Sequence, residues 1–193
     1  MAHKICILNM NRMNYDHQLD ISCIKGDIVL YEESRQDEIL SRIQGCEIIV
    51  TKELRLPYEI IEQFPDSVKL ICEAGTGYNN IDLDACRKKN IMVCNTPAYS
   101  TKRVAHTAIM LLLNLSSSMR LQLQMLSEKD HRNFTEHMMV RHQEVNGKTL
   151  GIIGYGNIGC EVIRIAKALD MRILVYTRTP RKDQEGVCFV SRE

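Results

Sequence analysis

The sequence predicts an α/β fold in which parallel strands are covered by helices. Short apolar runs alternate with longer amphipathic ones from the N-terminus to about residue 95. Those apolar runs are continuous rather than alternating, as expected of strands buried on both faces. A glycine-rich turn at 154–159 also sits between an apolar run and a helical pattern, with a second apolar run after it.

Strands are predicted at 4–9 (KICILN), 27–31 (DIVLY), 46–51 (CEIIVT), 68–73 (VKLICE) and 91–94 (IMVC). Helices are predicted near 35–44, 57–64 and 82–89, the last with Asp82 as its N-cap. The pattern breaks at NTPAYSTKR (95–103), which holds Pro97 and the capping hydroxyls of Ser100 and Thr101. One long helix then runs over 101–126. Apolar residues fall on nearly all its faces, which places it in a core or a subunit interface. Residues 127–148 are polar and weakly periodic, and read as a connection with room for one short helix. TLGII (149–153) is a strand, Ile158, Val162, Ile165 and Leu169 recur as a helix face, and RILVY (172–176) is the next strand. The break near 100–104 divides the chain into domains at 1–103 and 104–193.

Composition bounds the function. An apolar content of 45% over 193 residues is enough for a packed core. A net charge of +1 gives no case for nucleic acid or an anionic membrane surface. The most apolar stretch, 104–115, is interrupted by His106 and Asn114 and falls short of the roughly 20 residues that span a bilayer. The first apolar run is too short for a signal peptide. The eight cysteines are scattered without a CxxC pair, which reads as reduced thiols in a cytoplasmic protein. His131, His137 and His142 do not share one helix face and read as solvated residues, so no metal site is expected.

Gly154, Gly156 and Gly159 form a GxGxxG motif, with Tyr155, Asn157 and Ile158 between them. Gly154 permits the tight turn, Gly156 lets a pyrophosphate approach the backbone, and Gly159 lets the helix pack close to the strand. The helix N-terminus offers free N–H groups to phosphate oxygens. The flanking strand, helix and strand make this a dinucleotide site. A ligand-free turn in a flavodoxin-like sheet and a methyltransferase-type adenosine site are the alternatives.

Two longer segments, AGTGYNNIDLDACRKKNIMVCNTPAYST (74–101) and NGKTLGIIGYGNIG (146–159), resemble the D-isomer-specific 2-hydroxyacid dehydrogenase family, close to its glycerate and D-lactate dehydrogenase-like branches. The resemblance covers most of 45–180, and the first 45 residues fit loosely. It implies a flavodoxin-like, Rossmann-like substrate domain, split in sequence, and a Rossmann NAD(P)-binding domain of which this chain carries the N-terminal part. It implies hydride transfer between a nicotinamide and a small 2-ketoacid or 2-hydroxyacid, and a homodimer formed through the helix at 101–126. The substrate loop falls on Gly75, Thr76 and Gly77, whose N–H groups can hold a carboxylate. Lys52 occupies a position that faces the cleft in the family, and a solvated lysine at a strand end fits it equally. Cofactor contacts fall on Gly154, Tyr155, Gly156, Asn157, Ile158 and Gly159, and an interdomain hinge on 98–107.

NAD-specific relatives place an acid at the end of the second nucleotide-domain strand. Here that position is Thr177, followed by Arg178 and Thr179, so NADP is favoured over NAD. The family's VAE or VAQ is Val104-Ala105-His106 here, and His106 is expected to pack within its helix. The family's arginine, histidine and acidic partner come from motifs resembling NxxRG, DVxxxEP and PH, none of which occurs here. No catalytic residue is therefore expected in this chain. It reads as about the first half of a dehydrogenase, inactive alone. A nucleotide-binding regulatory module and a non-catalytic truncated gene product are the competing readings.

Overall fold

The computed structural model describes residues 2–179 and 181–191. The chain divides into two compact units, Met1–Tyr99 and Ser100–Glu193. Among the described residues no helix is long and apolar enough to cross a membrane.

The first unit is built on β1 (Lys4–Ile7), β2 (Asp27–Leu30), β3 (Ile48–Thr51), β4 (Leu70–Glu73) and β5 (Met92–Cys94). Every neighbouring pair is parallel, in the order β2-β1-β3-β4-β5. The connections hold α1 (Met10–Met13), a 3-10 turn running into α2 (Ile39–Arg42), α3 (Tyr58–Ile61) and α4 (Leu83–Lys88). Ile5, Cys6 and Ile7 are all buried, so β1 is covered on both faces, as its continuous apolar run predicts. Phe64, Ile39, Ile43, Leu56, Ile61 and Ile71 fill the core around it. α4 starts where Asp82 accepts a hydrogen bond from the Ala85 amide at 2.8 Å. Such a cap contributes about 1 kcal/mol.

The second unit contains α5 (Thr101–Ser116), α6 (Met119–Ser127), α7 (Arg132–Thr135), β6 (Thr149–Ile153), α8 (Asn157–Ala168), β7 (Arg172–Tyr176) and β8 (Cys188–Val190). Its parallel sheet has the order β6-β7-β8. The single helix expected over 101–126 is in fact two. The Ser116 and Ser117 hydroxyls both donate back to the Leu113 carbonyl at 2.9 Å, and Ser118 takes a left-handed conformation with φ 52°. Hydroxyls that bond back to the turn compete with the helix ladder, and three serines in a row end it. Nor does a core enclose these helices. Only Ala105 and Ile109 of α5 are buried, while Met110, Leu111, Leu113 and Leu115 are exposed.

α8 lies on the sheet through Ile163 and Ala166, with Val162, Ile165 and Leu169 partly buried beside them. The buried stripe is therefore displaced from the one expected, and Ile158 stands off it at 41% exposed. β7 alternates exposed and buried residues, so this sheet buries one face among the described residues. β8 was not anticipated. Its entry is held by the Phe189 amide, which donates to the Asp183 carboxylate at 2.7 Å. β6 pairs with β7 alone among the described residues, and none of its residues is buried.

Candidate functional site

In the first sheet the strand order reverses between β1 and β3. Crevices that bind ligands open outside the carboxyl ends of strands at such a point. Asn9, just past β1, bridges it. Its Oδ1 accepts from the Lys52 amide at 3.0 Å and the Thr51 hydroxyl at 3.3 Å, and its Nδ2 donates to the Lys52 carbonyl. On the next strand Glu73 is 1% exposed. Its carboxylate accepts from the Glu53 amide at 3.0 Å and from Asn80 Nδ2 at 2.9 Å. Asn80 Nδ2 also donates to the Leu54 carbonyl at 2.8 Å. A buried carboxylate is tolerated only when its oxygens find donors, and here they tie the loops after β3 and β4 together. Asn9, Glu73 and Asn80 were missed in the sequence. The one available signal was a lone acid ending an otherwise apolar strand, LICE.

The loop Gly75, Thr76, Gly77 leaves β4 beside this network. The Thr96 amide donates to the Gly75 carbonyl at 2.9 Å, and Asn95 Nδ2 to the Thr76 carbonyl at 2.8 Å. The Thr76 hydroxyl donates to the Thr96 carbonyl at 3.1 Å. The loop's first two carbonyls are thus engaged, while the amides of Gly75, Thr76 and Gly77 have no partner among the described residues. A Cβ on Gly75 would lie 3.1 Å from Glu73 Oε1, so the loop closes tightly over the buried acid. Lys52 leaves β3 next to Thr51, the register partner of Glu73. It is half-buried, with Nζ 5.8 Å from the centre of the Tyr99 ring.

In the second unit the glycine turn joins β6 to α8. Gly154 has φ +104°, which an L side chain rarely adopts, and its amide donates to the Tyr176 carbonyl at 2.8 Å. A Cβ on Gly159 would fall 2.4 Å from the Gly154 carbonyl oxygen, so the helix packs against the turn itself. A Cβ on Gly156 would meet nothing within 4 Å. The amides of Tyr155, Gly156, Asn157 and Ile158 have no partner among the described residues. These free donors and the positive helix end face open space, which is what a pyrophosphate requires.

Tyr155 fastens the turn to the chain beyond β7. Its hydroxyl donates to Gln184 Oε1 at 3.0 Å, its ring meets Phe189 edge-on at 5.1 Å, and the Arg181 guanidinium lies 4.9 Å from the ring centre. Thr177 is half-buried, and Arg178 and Thr179 are exposed. The nearby Asp183 is occupied by the Phe189 amide. His106 is exposed on α5 rather than packed, because Ala105 and Ile109 occupy the buried side of the helix. His131, His137 and His142 are exposed.

A sequence profile described as D-isomer specific 2-hydroxyacid dehydrogenase, catalytic domain, matches residues 7–188. A hydroxypyruvate reductase of Blautia hydrogenotrophica is 31% identical over 175 residues, covering 86% of this chain and 53% of that protein. Another, of Thermotoga maritima, is 34% identical over 149 residues, covering 77% and 47%. Among solved structures, a glyoxylate reductase from Paecilomyes thermophila is similar with a TM-score of 0.80 at 25% identity, covering 98% of this chain and 60% of that one. The chain thus spans about half the length of these curated relatives. The profile runs through both the loop after β4 and the glycine turn before α8, and the chain belongs to the D-isomer specific 2-hydroxyacid dehydrogenase family.

Proposed function

We propose that this chain carries the carboxylate loop and the dinucleotide turn of an NAD(P)-dependent 2-hydroxyacid dehydrogenase. Its substrate is a small 2-ketoacid of the glyoxylate or hydroxypyruvate class, the class that the related reductases are named for. The observation that carries this reading is the pair of amide clusters without a partner among the described residues, at Gly75–Gly77 and at Tyr155–Ile158. In the first unit, the substrate domain, the loop amides bind the ketoacid carboxylate and the Lys52 ammonium adds charge. The Thr96 and Asn95 bonds hold that loop in shape, and the Asn9 bonds hold the Lys52 backbone, before the ligand arrives, which lowers the ordering cost of binding. In the second unit, the nucleotide domain, the α8 amides bind the pyrophosphate and Gly156 leaves it room. The nicotinamide supplies hydride when bound.

NADP is preferred to NAD. Thr177 and Arg178 stand where an acid would accept a ribose hydroxyl, Asp183 is already engaged, and the Arg181 guanidinium is nearby. A 2′-phosphate is bound well by guanidinium groups and repelled by carboxylates. The exposed apolar side chains of α5 and α6 form a homodimer interface. A cytoplasmic location suits the free cysteines. The sequence offers no histidine at a position where the family pattern puts its acid/base. The 193-residue chain alone is therefore expected to bind cofactor without measurable turnover. Fluorescence titration with NADPH and NADH tests the reading. NADPH should bind more tightly, NADH binding tenfold more tightly would overturn the preference, and no binding of either would overturn the dinucleotide site.

A further inference from the structure

Cys72 on β4 and Cys94 on β5 are register partners, directly opposite across the parallel ladder. The Cys94 thiol points at Cys72, with the two Sγ atoms 3.5 Å apart. Neighbouring strands lie ~4.8 Å apart, inside the window of about 4.4–6.8 Å that a disulfide requires between Cα atoms. The sulfurs need about 1.5 Å of approach to reach bonding distance, within the reach of side-chain rotation. Cys94 is exposed on the edge strand and Cys72 is half-buried behind it. Cys6 and Cys46 are also close, but both are fully buried and out of reach of a solute.

We propose that Cys72 and Cys94 form a reversible thiol–disulfide site that joins the carboxyl ends of β4 and β5 beside the Gly75–Gly77 loop. The site stands whether or not that loop binds a ketoacid. The two thiols have unequal parts. Burial, reinforced by the neighbouring Cys94 sulfur, pushes the Cys72 thiol up to about 12, so it stays protonated at neutral pH. The exposed Cys94 reacts first. With hydrogen peroxide as oxidant, the Cys94 thiolate attacks one peroxide oxygen and the O–O bond breaks. Hydroxide leaves and becomes water with the proton Cys94 gave up, and Cys94 is left as a sulfenic acid. Cys72 then loses its proton and attacks Cys94 Sγ. The S–S bond forms, the S–O bond breaks, and the departing hydroxide takes that proton as a second water. In balance, two thiols give up two electrons and two protons, and one peroxide becomes two waters. A dithiol reductant reverses the change.

The consequence is local. β5 runs on into Asn95 and Thr96, which hold the loop carbonyls of Gly75 and Thr76. β4 enters the loop only three residues after Cys72. Bridging the two strands fixes the distance between the loop's root and the segment that braces it.

The test is peroxide treatment of the 193-residue chain, alkylation of the remaining thiols, and tryptic mapping. Peptide 70–87 should appear linked to peptide 90–102, with fragment ions placing the link at Cys72 rather than Cys86. Dithiothreitol should remove it. Cys72→Ser should instead accumulate a Cys94 sulfenic acid that dimedone traps, while Cys94→Ser should leave Cys72 reduced. Hydrogen exchange across 74–79 should slow on oxidation and recover on reduction. Wild-type chain in which Cys94 proceeds to sulfinic acid, or pairs with another chain while Cys72 stays free, would overturn the proposal. A link at Cys86 would also overturn it, and the wild-type map decides even if a variant folds poorly.

Discussion

Alanine at Gly156 and alanine at Gly159 should separate room for a ligand from room for packing. A Cβ at Gly159 would sit 2.4 Å from the Gly154 carbonyl oxygen and 3.4 Å from its carbon. Both are backbone atoms and cannot swing aside, so the turn must open. Overpacking of this kind costs ~3 kcal/mol, offset by about 1 kcal/mol from the better helix propensity of alanine. A net loss of about 2 kcal/mol lowers the melting temperature of a unit this size by roughly 8–16 °C. At Gly156 the added carbon meets nothing within 4 Å, and φ is −99°, ordinary for alanine. A poorer N-cap and a less flexible unfolded chain nearly cancel, leaving stability within about 0.5 kcal/mol. The methyl occupies the approach of the pyrophosphate instead. A clash of ~2 kcal/mol there weakens NADPH roughly 30-fold. Circular dichroism melting and NADPH fluorescence titration on both variants provide the assay. Gly156→Ala binding NADPH as tightly as the parent would refute the cofactor argument, and Gly156→Ala melting as early as Gly159→Ala would refute the packing argument.

Glu73→Ala strips the partner from the Glu53 amide and from one Asn80 proton, and should destabilise the first unit by about 3 kcal/mol, read by urea denaturation. A loss below about 0.5 kcal/mol would mean that the network is not what braces the loop. Leu115 is 80% exposed, so Leu115→Glu should leave the far-ultraviolet circular dichroism of the folded chain unchanged while converting a dimer to monomer in sedimentation. A parent chain that sediments as monomer at micromolar concentration would dispose of the interface. Arg132 donates to both carboxylate oxygens of Asp130, at 2.9 and 2.8 Å, and holds that carboxyl down at about 2. A depressed carboxyl stabilises the fold above its unfolded value and loses the effect as pH falls through the folded one. This pair should therefore add no pH dependence between about pH 5 and 8 and weaken only below about pH 4. An NMR titration should show the low midpoint, and Arg132→Ala should move it back toward about 3.9.

The inner strands of the first unit were legible because parallel strands covered on both faces are short apolar words, and KICI and IIVT are such words. Their ends were not. The apolar run KICILN extends to Asn9, but Asn9 leaves the ladder to hold Lys52, forty-three residues away, and no local pattern contains that bond. The same distance hid Glu73 and Asn80, whose roles depend on loops brought together by the sheet. In the second unit the glycine motif was legible because each spacing has a steric cause, and Gly159 shows it at 2.4 Å. The helix over 101–126 was overextended because apolar content says nothing of a serine hydroxyl bonding back to Leu113. β8 escaped because three residues make too short a word to recognise without the partner strand that defines it.

One edge of β6 bears on how the 193-residue chain must be handled when it is purified by itself. Thr149–Ile153 carries no charged side chain, Ile153 is 90% exposed, and the strand's second side has no ladder partner among the described residues. An uncharged edge with free amides and carbonyls is a template for any extended chain that drifts against it. Concentration, rather than temperature, should then set the shelf life of purified material. Light scattering should rise with a steep dependence on protein concentration, and a lysine placed at Gly151, where an added Cβ meets nothing within 4 Å, should delay its onset.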